Sequence, residues 1–179
     1  GLAVRIDELQ TNGNVQLLEF RNGGTIQVTI SLTPGGGFNI ERGVSTDIAN
    51  TQGNLIHNNT WHYIEVLVTI SDTVGVVTIQ VDGVQVATFT GLDTLVTGTT
   101  VDRIAIDFAG GTSSTMDVDD VYILDTTGSA PQNTFLGDIK IDTLFPDGVG
   151  NYTEFTTTNP ASPTTHWDKV EEPAVDTTS

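Results

Sequence analysis

Residues 61–89 read W-H-Y-I-E-V-L-V-T-I-S-D-T-V-G-V-V-T-I-Q-V-D-G-V-Q-V-A-T-F, and this stretch decides the fold. Branched aliphatic side chains occupy alternate positions in two successive runs. These are Ile64, Val66, Val68 and Ile70, and then Val77, Ile79 and Val81. A period of two residues places each run on one face of a β-strand and does not fit a helix. Asp82-Gly83 supplies a two-residue hairpin turn before a third strand. The stretch predicts a three-stranded antiparallel meander.

Similar short alternating runs lie on both sides of this meander. They predict strands within residues 2–9, 15–20, 25–32, 38–42, 102–108, 116–125 and 136–145, whereas residues 44–59 read mostly as loop. About ten or eleven strands are too many for one twisted open sheet, so we expect two antiparallel sheets packed face to face. We expect no significant helix. The predicted core contains Ile64, Val66, Val68, Val77, Ile79, Val81, Ile104, Ile106, Val121 and Ile123.

The composition changes after residue 145, where Asn, Thr, Pro and acidic residues replace the aliphatic ones. Such a segment cannot build a core of its own. We therefore divide the chain into a sandwich of residues 1–145 and an extended, mostly irregular arm of residues 146–179. Phe155, Trp167 and Val170 are the groups able to anchor the arm at an interface. The arm either docks on a neighbouring surface or returns Trp167 to its own sandwich.

The charge of the chain is strongly unbalanced. Its 179 residues include 23 acidic and 6 basic side chains, for a formal net charge of −17, and no cysteine. This charge opposes binding to nucleic acid and to anionic membranes. Because no apolar run approaches the roughly 18 residues of a membrane span, we expect a soluble protein. Gly1 is not an initiator methionine, so we read the chain as a processed product, a tagged chain or a fragment of a longer polypeptide.

Asp117, Asp119 and Asp120 form the densest acidic cluster before the arm. Ca²⁺ prefers six to eight oxygen ligands, and the glycine-rich loop at residues 109–112 can add carbonyl groups. These three aspartates are therefore our calcium candidates, and calcium is the one cofactor that the sequence suggests. The alternative is structural: D-x-D spacing is ordinary on a solvated strand face, and Asp119 or Asp120 can accept hydrogen bonds from loop amides.

The sequence gives little support for catalysis. The Cα atoms of two residues at D-x-D spacing lie about 6.6 Å apart along a strand, which leaves glycoside hydrolysis open on distance alone. A glutamate-rich E-x-D-x-E strand is absent, however, and few Trp and Tyr residues could stack on sugars. We expect no enzymatic activity. His62 heads an apolar stripe, and His57 lies five positions before it, so we interpret His62 as a partly buried strand residue and not as a metal ligand.

Four segments together resemble the laminin-G-like proteins of tailed phages, within the wider group of concanavalin A-like jelly-rolls. They are residues 17–21 (L-L-E-F-R), 61–84, 117–128 (D-V-D-D-V-Y-I-L-D-T-T-G) and 136–146 (L-G-D-I-K-I-D-T-L-F-P). The resemblance implies an all-β, two-sheet antiparallel jelly-roll sandwich.

The same resemblance implies a non-enzymatic virion structural protein. In that reading the chain is a head decoration protein or a tail or fibre module, located in the extracellular particle. Its partners would be other virion proteins and copies of itself. The alternative is a carbohydrate-binding adhesin module that recognises glycans on the host surface. The two readings differ in what is bound, because a lectin should bind glycans and a structural subunit should not.

Overall fold

The computed structural model describes residues 1–108 and 114–141. It contains ten β-strands and, within these residues, no helix. The strands, in chain order, are β1 (Leu2–Ile6), β2 (Val15–Asn22), β3 (Thr25–Leu32), β4 (Phe38–Arg42), β5 (Thr46–Asn50), β6 (Trp61–Thr69), β7 (Gly75–Val81), β8 (Val84–Leu92), β9 (Arg103–Ile106) and β10 (Met116–Asp119). No helix in the described ranges is long and apolar enough to cross a membrane.

The strands form two antiparallel sheets of five strands each, as expected for a β-sandwich. The first sheet has the order β10-β1-β6-β7-β8, and the second has the order β5-β4-β3-β2-β9. The meander at residues 61–89 is confirmed as β6, β7 and β8, paired in sequence. Asp82 and Gly83 have φ values of 52° and 75°. Both values are those that a primed hairpin turn requires, so the turn prediction is also confirmed.

One hydrophobic core lies between the sheets. The first sheet contributes Ile64 and Ile79, and the second contributes Ile30 and Ile40, all with no exposed surface. Val77 and Val81 are buried as predicted, while Val66, Val68 and Ile104 are partly buried against the same core. Burying a side chain of this size contributes about 1.5–3 kcal/mol, so this cluster supplies most of the drive to fold.

The core prediction is wrong for three residues, which are exposed. Ile106 is 39% exposed because it ends β9, a four-residue strand at the edge of the second sheet. Val121 and Ile123 are 37% and 64% exposed. Their strand stops at Asp119, and Asp120 has a φ of 48°, which turns the chain. The alternation of faces is therefore not continuous across residue 120.

Several strand limits also differ from the predictions. The first strand ends at Ile6, where the Asp7 side chain accepts hydrogen bonds from the backbone amides of Glu8 and Thr115. Residues 46–50 form β5 inside the segment that we predicted as loop. The strand predicted at residues 136–145 is absent from its described part, residues 136–141. Residues 142–145 lie outside the described residues.

The chain divides into two units, Gly1–Lys140 and Ile141–Ser179. The sandwich belongs to the first unit. The predicted arm, residues 146–179, and its anchors Phe155, Trp167 and Val170 lie outside the described residues. The arm therefore stays a prediction.

Candidate functional site

A hollow of about 270 Å³ opens on the outer face of the first sheet. The strand register explains its composition: Ala3 pairs with Tyr63 on β6 and with Asp119 on β10, so these residues form a row across three strands. Aromatic and carboxylate groups complete the wall. The lining residues are Ala3, Trp61, His62, Tyr63, Asp82, Asp119, Asp120 and Asp138. The hollow is thus acidic, with a small alanine at its base.

Trp61 forms one wall of the hollow and is 46% exposed. The guanidinium carbon of Arg5 lies 5.5 Å from the centroid of the Trp61 ring, a cation–π distance. The same guanidinium bonds to the Asp117 carboxylate at 2.6 Å and 3.0 Å. Arg5 therefore joins the indole to the acidic strand β10 and fixes the ring beside the opening.

The three calcium candidates have different surroundings. Asp117 is paired with Arg5, whereas the Asp119 carboxylate accepts a hydrogen bond from the Asp120 amide at 2.8 Å. The Asp120 carbonyl accepts the Tyr63 hydroxyl at 3.0 Å. Among the described residues, no three His, Cys, Asp or Glu side chains lie close enough to hold a metal ion. Calcium binding here stays a prediction, and the structural alternative matches the contact that Asp119 makes.

His62 has both ring nitrogens engaged. Its Nδ1 lies 2.8 Å from the Asp82 carboxylate, and its Nε2 lies 3.1 Å from the His57 backbone amide. Because the amide can only donate, Nε2 accepts and Nδ1 carries the proton that is donated to Asp82. Asp82 also accepts the Tyr63 amide at 2.8 Å. His62 lies on β6, where we predicted a partly buried strand residue, and it is buried. It connects the hairpin turn to the start of β6.

A buried carboxylate, Glu65, lies next to Tyr63 on the outer side of β6 and has no exposed surface. Its Oε1 accepts the Tyr122 hydroxyl and the Gly137 amide, the latter at 2.9 Å. The Tyr122 hydroxyl in turn accepts the Leu136 amide at 3.2 Å. Glu65 thereby fixes two points of the segment that follows β10, and this segment covers part of the outer face. Glu65 Oε2 is buried and has no hydrogen-bond partner among the described atoms.

The two tyrosines beside Glu65 are held in their neutral form. Burial, followed by the charges of Glu65, Asp120 and Asp138, raises the pKa of Tyr63 to about 12. Burial and the hydrogen bond to Glu65 raise the pKa of Tyr122 above its ordinary value. A phenol whose pKa is higher in the folded state stabilises the fold below its unfolded pKa, about 10. That contribution is lost as pH rises through the folded pKa.

We therefore expect Tyr122 to ionise only as the sandwich unfolds, above pH 10 or so. The measurement is the tyrosinate absorbance during an alkaline titration, with circular dichroism recorded on the same samples. The difference between wild type and Tyr122→Phe isolates the Tyr122 signal, and Tyr63→Phe is the matched variant for its neighbour. Reversible ionisation of Tyr122 near its ordinary pKa, with the β-sheet spectrum intact, would contradict the burial of its hydroxyl beside Glu65.

A second polar row crosses the outer face of the second sheet, where register places Thr29 between Glu19 and Glu41. Glu19 is paired with Arg21 at 2.5 Å, and Glu41 accepts the Ser31 hydroxyl at 3.1 Å. Burial raises the pKa of Glu41. We did not select either glutamate from the sequence, because the row that they form with Thr29 depends on the pairing of three strands.

In the described part of the chain, the aspartates at residues 119 and 120, which the sequence suggested as a site, lie beside an aromatic wall. The sequence analysis did not predict that this wall belongs to the site. Glu65 and Gly137 were also missed as site residues. The only signal for Glu65 was an acidic residue inside a strongly apolar strand. Comparisons with protein-family models, with curated proteins and with solved structures found no match for this chain.

Proposed function

We propose that this chain is a non-enzymatic structural protein of a tailed-phage virion, either a head decoration protein or a tail or fibre module. In this role it assembles through protein–protein contacts with virion proteins and with other copies of itself. The resemblance of the four segments quoted above is the basis for placing it in a phage particle. The strongly acidic composition, which opposes contact with nucleic acid, fits an outer position on such a particle.

The proposal is supported by the hydrogen-bond partners of the polar residues in these segments, which lie within the chain itself. Glu65 of the segment W-H-Y-I-E-V bonds to Tyr122 of D-D-V-Y-I-L and to Gly137 of L-G-D-I-K-I. His62 bonds to Asp82 of the hairpin turn. These groups connect parts of the chain that are far apart in sequence. Internal connections of this kind serve a scaffold, whereas a catalytic centre would present such polar groups to a substrate.

We also propose that the sandwich is a jelly-roll of the concanavalin A-like type. The path of the chain supports this proposal. It begins in the first sheet with β1, makes β2 to β5 of the second sheet, and returns for β6 to β8. It then adds β9 to the second sheet and β10 to the first. These repeated crossings between two antiparallel sheets are typical of jelly-rolls and differ from a simple meander in each sheet.

The experiment that tests the proposed role is location in the particle. Particles of the phage that encodes this sequence are purified on a density gradient, and their proteins are identified by mass spectrometry. Labelling with gold-conjugated antibodies then separates head from tail. We expect the chain in stoichiometric amounts at one of these places. Its absence from intact particles, with abundant protein in the infected cell, would reject the virion role.

Glycan binding is the second candidate, and the hollow beside Trp61 favours it. A half-exposed indole can stack on a sugar ring, and nearby carboxylates such as Asp119 and Asp138 can accept hydrogen bonds from hydroxyl groups. A glycan array with and without Ca²⁺ tests this candidate. Glycan binding would be established if Trp61→Ala abolishes it and Val74→Ala, at a remote exposed position, preserves it.

A melting experiment tests the calcium prediction in parallel. A ligand that binds only the folded state raises the melting temperature by mass action, so the melting temperature should rise as Ca²⁺ is titrated if the metal binds.

A further inference from the structure

The four strands at the edges of the two sheets differ in charge and length. β5, β9 and β10 are four or five residues long, and each contains at least one charged residue: Asp47, Arg103, or Asp117 and Asp119. β8 has nine residues, V-Q-V-A-T-F-T-G-L, and none of them is charged or proline. Short length, charge and proline are the usual means by which proteins keep sheet edges from pairing. Of the four edges, β8 alone has none of these three.

The backbone of β8 is regular in its central residues, where a further strand would pair. Its pairing with β7 shifts register near each end, but Val76, Val77, Thr78 and Ile79 pair without interruption with residues 90, 89, 88 and 87. No described residue other than those of β7 forms a backbone hydrogen bond with β8. Within residues 1–108 and 114–141, the central residues 87–90 therefore present a straight edge whose outward N–H and C=O groups have no backbone partner.

The acidic residues that flank β8 are both paired. Asp82, just before the strand, bonds to His62, and Asp93, just after it, lies 3.3 Å from the Arg42 guanidinium. β8 itself has no charged side chain and is an uncharged strip on a chain whose net charge is −17. Two copies of such a chain repel each other over most of their surfaces, and like charges placed opposite each other across strands are destabilising. β8 is the edge at which a second copy meets no charged side chain of the strand itself, so that only the net repulsion between the two chains remains.

We propose that β8 is a self-association edge, at which β8 of a second copy of this chain adds in antiparallel orientation. A two-fold axis perpendicular to the sheet places one residue opposite its own copy, because opposed residues must share a face. With the axis at Phe89, Thr88 lies opposite Thr90 of the other copy. The contact is isologous and closed, so it yields a dimer with one continuous sheet. The inference deepens the assembly role proposed above and rests on it for its biological meaning. A contact this short is weak in isolation and becomes effective when many copies are held together.

Sedimentation velocity over a series of protein concentrations and salt concentrations tests the proposal on the full chain. Salt screens the net repulsion, for which the Debye length is about 8 Å at physiological ionic strength. We therefore expect the dimer to strengthen as salt rises, whereas association through ion pairs would weaken. A wild-type chain that stays monomeric at the highest concentration and at high salt would overturn the proposal.

The matched variants are Thr90→Glu in β8 and Thr46→Glu in β5, both at exposed positions on edge strands. They change the net charge equally, but only Thr90→Glu adds a charge to each side of the proposed contact. We expect Thr90→Glu to raise the dissociation constant about tenfold or more, since like charges in a contact cost more than the 1.4 kcal/mol of one such factor. We expect Thr46→Glu to leave it unchanged. Gln85→Glu, also exposed on β8, replaces Thr90→Glu if that variant does not fold.

Equal effects of the two variants would place the contact elsewhere and overturn the proposal. The outcomes also separate this inference from the proposed function. A monomeric wild-type chain that is found in particles would reject the β8 contact and leave the virion role in place. A β8-dependent dimer that is absent from particles would support the contact and reject the virion role.

Discussion

Replacing Ile64 by aspartate should abolish the cooperative thermal transition of the sandwich. Ile64 lies in the middle of the first sheet, pairs with Val81 on β7, and has no exposed surface. Removing a buried aliphatic side chain of this size costs about 2–5 kcal/mol. An unpaired carboxylate in the same place costs several more. Since native domains are stable by only about 5–15 kcal/mol, the folded state of this variant should no longer be populated.

The measurement is differential scanning calorimetry together with circular dichroism, and the matched control is Val74→Asp. Val74 is 67% exposed in the loop between β6 and β7, so the same chemical change there should leave the transition almost unchanged. A cooperative transition in Ile64→Asp near the wild-type temperature would show that the two sheets do not enclose Ile64 as described.

The sequence pattern would select Val66 as readily as Ile64, since both belong to the same alternating run. The structure separates them: Ile64 is completely buried, whereas Val66, two residues further along β6, is only partly buried. Period-two alternation identifies the inward face of a strand. It does not say how far the opposite sheet extends over that face. We therefore expect a milder effect from Val66→Asp than from Ile64→Asp.

The segment D-D-V-Y-I-L shows where local reasoning stops. Val121 and Ile123 have the composition of core residues, yet Tyr122 between them is the side chain that turns towards the sheet and bonds to Glu65. The left-handed conformation of Asp120 changes the face that later residues present. Aspartate adopts such a conformation more readily than most residues, but nothing in the local pattern requires it to do so.

The site residues that were missed depend on partners that are distant in sequence. Glu65 and Gly137 are 72 residues apart, and Gln27 and Thr97 are 70 residues apart. A single sequence predicts strands, turns and one face of each strand, because these follow from neighbouring residues. The partner of a buried polar group follows only from the complete topology of both sheets. The meander and its turn were therefore predictable, and the connections across the outer faces were not.

Gln27 is the clearest of these distant connections. It lies on the outer side of β3, has no exposed surface, and bonds through both ends of its amide to the segment that joins β8 to β9. Its Oε1 accepts the amides of Val96 and Thr97 at 2.6 Å and 3.0 Å. Its Nε2 donates to the carbonyl groups of Thr97 and Gly98. One side chain thus replaces a strand partner for three successive residues of the connection.

Replacing Gln27 by alanine should destabilise the sandwich by about 3 kcal/mol, because four hydrogen bonds are lost and each contributes about 0.5–1.5 kcal/mol. For a chain of this size, the melting temperature should fall by about 6–12 °C. Gln27→Glu should also be destabilising, since a carboxylate can accept the two amides but faces the two carbonyl oxygens without donors. The control is Gln85→Ala, at an exposed position, which should melt within a degree or so of wild type.

Hydrogen exchange distinguishes this account from a general loss of packing. The amides of Val96 and Thr97 should exchange much faster in Gln27→Ala than in wild type under native conditions, because their acceptor is gone. The amides in the centre of β7, which pair with β6 and β8, should slow or quicken only with global stability. If residues 96 and 97 keep their protection in Gln27→Ala, another group holds the connection between the sheets, and Gln27 is only a buried polar side chain of β3.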